Sequence, residues 1–201
     1  MLEAIAATQT EQTATKPTAN SRAIRWVFIG GGAQFAALKS AVARRGLSNV
    51  EFHGYQPRER LAESLSVADV HLVSLRSELE GFIVPSKFYG IAAAARPTIF
   101  IGDEGGEIPR LIKKYECGFA VAQGDAVGLV EILVKLAADP SLLRKMGENA
   151  RLAFDTEFSK SIAVARWDKM LRVIRGVDIR GNRETEDSAF PEPSPAGEET
   201  I

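Results

Sequence analysis

From residue 24 onward, short apolar runs alternate with longer stretches whose apolar positions recur at helical spacing. Runs of the first kind mark strands buried on both faces, and stretches of the second kind mark amphipathic helices. Residues 24–29 form such a run and end in Gly30-Gly31-Gly32. The next segment sets Phe35, Leu38 and Val42 on one helical face. It stops at Arg44-Arg45-Gly46, basic residues before a glycine that suits a helix end. Further strands are expected at 50–53, 70–75, 98–101 and 118–121. Helices are expected to open at Pro57, carrying Leu61, Leu65 and Ala68, and at Ser86. Others should span 107–114, 126–138, 140–154 and 159–174. This alternation predicts an α/β fold, a Rossmann-like parallel sheet with helices on both faces.

Both ends of the chain depart from that pattern. Residues 1–7 are helix-competent, whereas 8–22 are rich in Thr and small polar residues and read as a loop or flexible arm. Residues 24–175 form the folded domain. Residues 176–201 hold Asp178, Glu184, Glu186, Asp187, Glu192, Glu198 and Glu199 together with Pro191, Pro193 and Pro195. Such a tail buries too little apolar area to offset its ordering entropy and is expected to be disordered.

Composition narrows the function classes. A formal net charge of −1 over 201 residues gives no electrostatic footprint for nucleic acid. Cys117 is the only cysteine, so neither an internal disulfide nor a thiolate metal cluster is expected, and a cytoplasmic location fits. No basic-then-apolar leader opens the chain, and no apolar stretch approaches the ~20 residues that span a bilayer.

Candidate chemistry gathers where strands give way to helices. The run Glu80-Gly81-Phe82-Ile83-Val84-Pro85-Ser86-Lys87 joins an acid, a glycine, a helix-start signal and a lysine. Ser86 is expected to cap a helix beginning near Lys87, where free amides and the helix dipole attract phosphate. Lys87 adds a movable positive charge, and Glu80 suits the hydroxyls of a sugar or ribose. Gly31 and Gly32 permit close backbone approach by a ligand, though a tight turn explains them equally, and the dinucleotide fingerprint is incomplete. Gly105, Gly106 and Glu107 form either a nest of amides for a phosphate or sugar oxygen, or an ordinary loop in which Glu107 meets the helix dipole. Glu78 reads as a solvated acid, His53 and His71 as packing or surface residues, and no metal spacing occurs. The stripe of Val164, Trp167, Leu171 and Ile174 reads as a core or docking face.

In order along the chain stand Val27-Phe28-Ile29-Gly30-Gly31-Gly32, Val50-Glu51-Phe52-His53-Gly54-Tyr55, Ala68-Asp69-Val70, Glu80-Gly81 and Arg96-Pro97-Thr98. Gly105-Gly106-Glu107, Gly118-Phe119, Gly124-Asp125 and Met146-Gly147-Glu148-Asn149-Ala150-Arg151 follow. This succession resembles the C-terminal, donor-binding half of a GT-B glycosyltransferase of the group 1, family 4 type. The wording from Val84 to Gly90 resembles the branch that builds bacterial surface polysaccharides, such as colanic-acid-type enzymes. The resemblance implies sugar transfer from a nucleotide diphosphate donor to an acceptor hydroxyl, usually without a metal and with no further cofactor. It implies donor contacts from Gly31, Gly32, Glu80, Gly81, Ser86, Lys87, Gly105, Gly106 and Glu107. The catalytic base and the acceptor belong to the other half of such enzymes.

Two positions depart from that pattern: Gly90 stands where many members carry a second glutamate, and Ala95 where glycine is usual. Length departs as well. The resemblance implies that residues 1–23 hold a remnant of the first donor-domain helix plus an arm. The first strand and its phosphate-binding basic residues would then be missing, leaving one exposed sheet edge. As such a fragment the chain is expected to be inactive. The partners this reading implies are a nucleotide-sugar donor, a separate acceptor-domain chain and, for a lipid acceptor, a membrane surface. The alternatives are a donor-binding subunit that pairs with a separate acceptor-domain chain, and a non-catalytic Rossmann-like nucleotide-binding domain.

Overall fold

The computed structural model describes residues 1–14 and 23–175. The chain divides into two units, Met1–Ser159 and Lys160–Ile201. The first contains, in order, α1 (Leu2–Ala14), β1 (Trp26–Ile29), α2 (Phe35–Arg44), β2 (Val50–His53), α3 (Leu61–Ser66) and β3 (His71–Ser74). It continues with α4 (Lys87–Ala93), β4 (Thr98–Ile101), α5 (Glu107–Tyr115), β5 (Gly118–Val121), α6 (Ala126–Ala138) and α7 (Pro140–Ala153). A π-helical turn, Phe154–Phe158, ends it. In the second unit the described structure is α8, Lys160–Ile174, in which no residue is buried. The expected tail, 176–201, lies outside the described residues.

All strand pairs are parallel, as the alternation with helices requires. They form two sheets: β1 with β2, and β3, β4 and β5 in that order. β4 is the best-buried strand, with Thr98, Ile99 and Phe100 at 1%, 0% and 1% exposure. Burying side chains the size of Ile99 or Phe100 contributes roughly 1.5–3 kcal/mol each. One face of the strands packs on α1 and α6 through Ile5, Ile99, Val121, Leu133 and Leu136. The opposite face packs on α4 and α5 through Val73, Phe88, Phe100, Ile108 and Ile112. Helices on both faces are what the apolar strands require.

Three sequence expectations change here. The first strand starts at Trp26 instead of residue 24. Its helix-competent start runs through Ala14, well into the stretch expected to be a loop, and residues 15–22 of that arm lie outside the described residues. The reason is tertiary. Thr8 is fully buried: its hydroxyl donates to the Ile5 carbonyl (2.9 Å) and accepts from Trp26 Nε1 (2.9 Å) and Asn49 Nδ2 (3.2 Å). A threonine that looks like loop chemistry is the polar pin of a docked helix. Third, where one sheet with an exposed or frayed edge was expected, the strands form two sheets.

Helix ends follow local rules. Asp139 accepts from the amides of Ser141 (3.1 Å) and Leu142 (3.0 Å) with Pro140 at the first helical position. Bonding from the Ser141 hydroxyl, then from these amides, holds the Asp139 carboxyl below its ordinary range. α4 closes differently. The Arg96 amide donates to the Ile91 carbonyl and the Ala95 amide to that of Ala92, while Ala95 itself adopts φ 55°. This is a Schellman closure with alanine at the left-handed position.

Candidate functional site

In parallel sheets ligands gather at the carboxyl ends of the strands, and the loops carrying the expected residues all lie there. Gly30-Gly31-Gly32 leave β1, Glu80 follows β3, Gly102 to Gly106 leave β4, and Gln123 follows β5.

The structure brings Glu80, Gly106 and Glu107 into contact. After a 3₁₀ turn at Ser77–Leu79 and before Gly81 (φ 83°), the Glu80 carboxylate turns onto the start of α5. There Oε1 accepts from the Glu107 amide at 3.0 Å. Gly106 makes room for it: a Cβ at that position would stand 2.6 Å from the Glu80 carboxyl carbon. The negative charge meets the positive end of the α5 dipole, a favourable pairing. The neighbouring amides are also engaged. Gly105 donates to Asp103 Oδ1 (2.8 Å) and Gly106 to the Asp103 carbonyl (3.1 Å). Of the two readings of this turn, the geometry fits the ordinary loop, with its nest already filled from within. Arg110 Nε donates to the Gly105 carbonyl (3.0 Å) and holds the turn from the helix side.

The other expected residues sit apart from that cluster. Ser86 occupies the position before α4 but its side chain makes no capping bond, which corrects the expected cap. Its backbone is already helical (φ −61°, ψ −19°), whereas a capping side chain usually needs an extended backbone. The turn closes through backbone bonds, Phe88 to Pro85 and Tyr89 to Ser86. Lys87 is exposed. Among the described residues, no hydrogen bond or ion pair joins Ser86 or Lys87 to Glu80 or to the first glycine loop. In that loop the close neighbour is Tyr55: a Cβ on Gly31 would stand 3.0 Å from its ring. Gly32 (φ 146°) faces open space.

Sequence reasoning passed over Arg76 and Gln123. With Leu79 and Glu78, which had read as merely solvated, they line a pocket of about 380 Å³. The available signal was position, since Arg76 and Gln123 each stand two residues beyond the end of a strand.

The titratable groups read as bystanders behave as such. His71 donates through Nε2 to the Leu65 carbonyl (2.7 Å), and burial, with Arg96 adding to it, holds its pKa below the ordinary value. His53 meets Glu51 at 3.3 Å. The Cys117 thiol is buried, and desolvation pushes it up to about 11.

With this geometry established, comparisons with known proteins are specific. The amylovoran biosynthesis glycosyltransferase AmsK of Erwinia amylovora is 28% identical over 149 residues, covering 73% of this chain and 36% of that protein. The chain thus spans about a third of the length of the curated relatives it matches. The C-terminal domain of the group 1 glycosyl transferase LpcC from Francisella tularensis superposes with a TM-score of 0.61 at 19% identity, covering 79% of this chain and 77% of that one. Anabaena HepE, solved in complex with UDP-glucose, gives a TM-score of 0.64 at 17% identity over 86% of this chain and 45% of that one. These structural likenesses show the fold, the C-terminal half of GT-B. The family described as "Glycosyl transferases group 1" matches residues 9–153. That match covers most of the chain, which therefore belongs to the group 1 glycosyl transferases.

Proposed function

We propose that this chain is the donor-binding half of a glycosyltransferase of polysaccharide or glycoconjugate biosynthesis, binding a nucleotide diphosphate sugar. The observation that carries the reading is Glu80, an acid held on the α5 terminus at the carboxyl end of the strands. A carboxylate fixed there is poised to accept from sugar hydroxyls, and Glu107 stands beside it. Ser86 and Lys87 take the diphosphate, and Gly31, Gly32 and Gly81 let backbone approach the donor. Gly105 and Gly106 shape the turn that carries Glu107. In the complete enzyme an acceptor hydroxyl attacks the anomeric carbon while helix termini and cations stabilise the departing nucleotide diphosphate. The acceptor and the base come from outside this domain, so the isolated chain binds donor without transferring sugar. A single buried thiol suits a cytoplasmic setting.

A thermal-shift titration with UDP, GDP, their sugar conjugates and AMP tests this. A ligand that binds only the folded chain adds about 2.7 kcal/mol at a hundredfold excess over its Kd. The expected result is a selective shift with one nucleotide diphosphate series, reduced in Lys87→Ala and Glu80→Gln. Equal shifts with AMP would favour a general nucleotide-binding domain. No shift on a folded protein would remove the donor-binding reading.

A further inference from the structure

We propose that α8 is an interfacial anchor for an anionic lipid surface, its apolar face in the acyl boundary and its cations among the headgroups. The inference follows from α8 alone and does not depend on the donor reading. Among the described residues every other helix of eight or more residues buries at least one side chain. α8, 15 residues long, buries none.

Helical spacing sorts its side chains into two kinds. Ala163, Val164, Trp167, Met170, Leu171 and Ile174 fall within about a third of the helix circumference, with Trp167 near the middle. The arc is open, with Trp167 61% and Ile174 73% exposed. Of the large apolar residues exposed on α8, Val173 alone falls outside it. Across the same stretch the cations Lys160, Arg166, Lys169, Arg172 and Arg175 stand against one acid, Asp168, which pairs with Arg172 at 2.8 Å. The whole chain carries 25 basic and 26 acidic residues, so this positive excess is local. Arg166 and Arg175 border the arc on its two sides, and Lys169 and Arg172 cover the opposite face.

This distribution selects the occupant. An apolar arc bordered by cations on both sides matches a bilayer interface, where acyl chains lie beneath the helix and anionic headgroups on either side. Arginine arms reach such headgroups while their methylenes stay on apolar surface. Tryptophan suits the same boundary, with an apolar ring and an N–H that takes a polar partner. A protein groove would have to supply acids along both rims, and a polynucleotide would leave the apolar arc in water. No described helix is long and apolar enough to cross a membrane, so α8 lies in the plane of the surface.

Sedimentation of the full chain with vesicles tests this without any nucleotide. The probes are phosphatidylcholine vesicles and vesicles of phosphatidylcholine and phosphatidylglycerol in equal parts. Binding to the anionic vesicles should be stronger by roughly tenfold or more, because several cations act together. It should weaken as salt rises. Iodide should quench Trp167 in the free chain and be kept from it on anionic vesicles. Trp167→Glu combined with Leu171→Glu should reduce binding by roughly tenfold or more. Lys169→Glu combined with Arg172→Glu should remove the preference for anionic lipid. Neither pair alters a buried side chain, so the Tm of the first unit stays that of the unmodified chain. Iodide protection is read in the unmodified chain, so a variant that folds poorly leaves the test standing. Equal binding to both vesicles, no binding to either, or full binding after Trp167→Glu with Leu171→Glu would overturn the proposal. Lipid-free self-association that the same pair abolishes would also overturn it, making the arc a protein interface.

Discussion

Replacing Ala95 with glycine should stabilise the first unit, because Ala95 holds a backbone conformation that an L side chain resists. It stands at φ 55° one residue past the α4 C-cap, fixed there by the two bonds that close the helix, Arg96 to Ile91 and Ala95 to Ala92. A non-glycine residue in the left-handed region costs roughly 1–2 kcal/mol, and Ala95→Gly releases that cost. Against it stands the greater freedom of glycine in the unfolded chain, about 0.5–1 kcal/mol. Ala95 is exposed, so its methyl group adds little burial to the balance. The net gain is about 0.5–1 kcal/mol, which raises the Tm of a unit this size by about 2 °C. Urea unfolding followed by circular dichroism reads it directly. The control is the same change two positions earlier: Ala93→Gly, inside the helix, should cost about 1 kcal/mol. Equal signs for the two variants, or a loss at Ala95, would refute the assignment of backbone strain to that residue.

Other predictions follow from single contacts. Thr8→Val keeps the volume but strands Trp26 Nε1 in a buried site and takes one of two acceptors from Asn49 Nδ2, which keeps the Ile5 carbonyl; it should destabilise by about 1–3 kcal/mol, measured by denaturant unfolding. Gly118→Ala drives a Cβ to 1.8 Å from the Thr98 carbonyl oxygen, a backbone atom of the best-buried strand; soluble yield and Tm should both fall sharply. His71 has a lowered pKa in the fold, so the unfolded chain binds its proton first. Its contribution is intact above the ordinary value of about 6.5 and is lost as pH falls below it; His71→Gln should flatten that limb of the stability–pH profile. Cys117 should resist a thiol reagent at pH 8 until denaturant is added, since its thiol titrates at about 11. Prompt labelling of the native chain would contradict the burial described.

Legibility in the sequence followed the range of the forces involved. The strands at Val50–His53, Thr98–Ile101 and Gly118–Val121 were readable to the residue: Thr98–Ile101, buried at its first three positions, sits in an apolar run, whereas Val50–His53 alternates Val50 and Phe52 with Glu51 and His53. Helix starts were readable in part: the start at Pro140 stands where expected, but Ser86 does not cap, since its backbone angles are set by the closing turn rather than by its own preference. What escaped was non-local. The length of α1 depends on Thr8 meeting Trp26 and Asn49, residues far along the chain. The helix expected over 140–154 was to stop at Phe154, but a π-helical turn runs on from Phe154 to Phe158; it places Phe158 against Phe88, Tyr89 and Tyr115, a cluster no periodicity announces. At the candidate site the loops were legible from their strand-end positions. That Glu80 fills the α5 terminus is a contact across 27 residues, which spacing alone does not encode.

The Thr8–Trp26 pin has an optical consequence. The chain has two tryptophans. Trp26 is 6% exposed with its indole N–H bonded to Thr8, whereas Trp167 in α8 is 61% exposed. One indole therefore emits from a dry, hydrogen-bonded site and the other from water, so the native spectrum is a sum of a blue and a red component. Each unit holds one of them. Quenching by iodide should silence the red component first, and the blue one should redshift only when α1 leaves the strands. Undocking of that helix can thus be timed by emission colour, with no label attached.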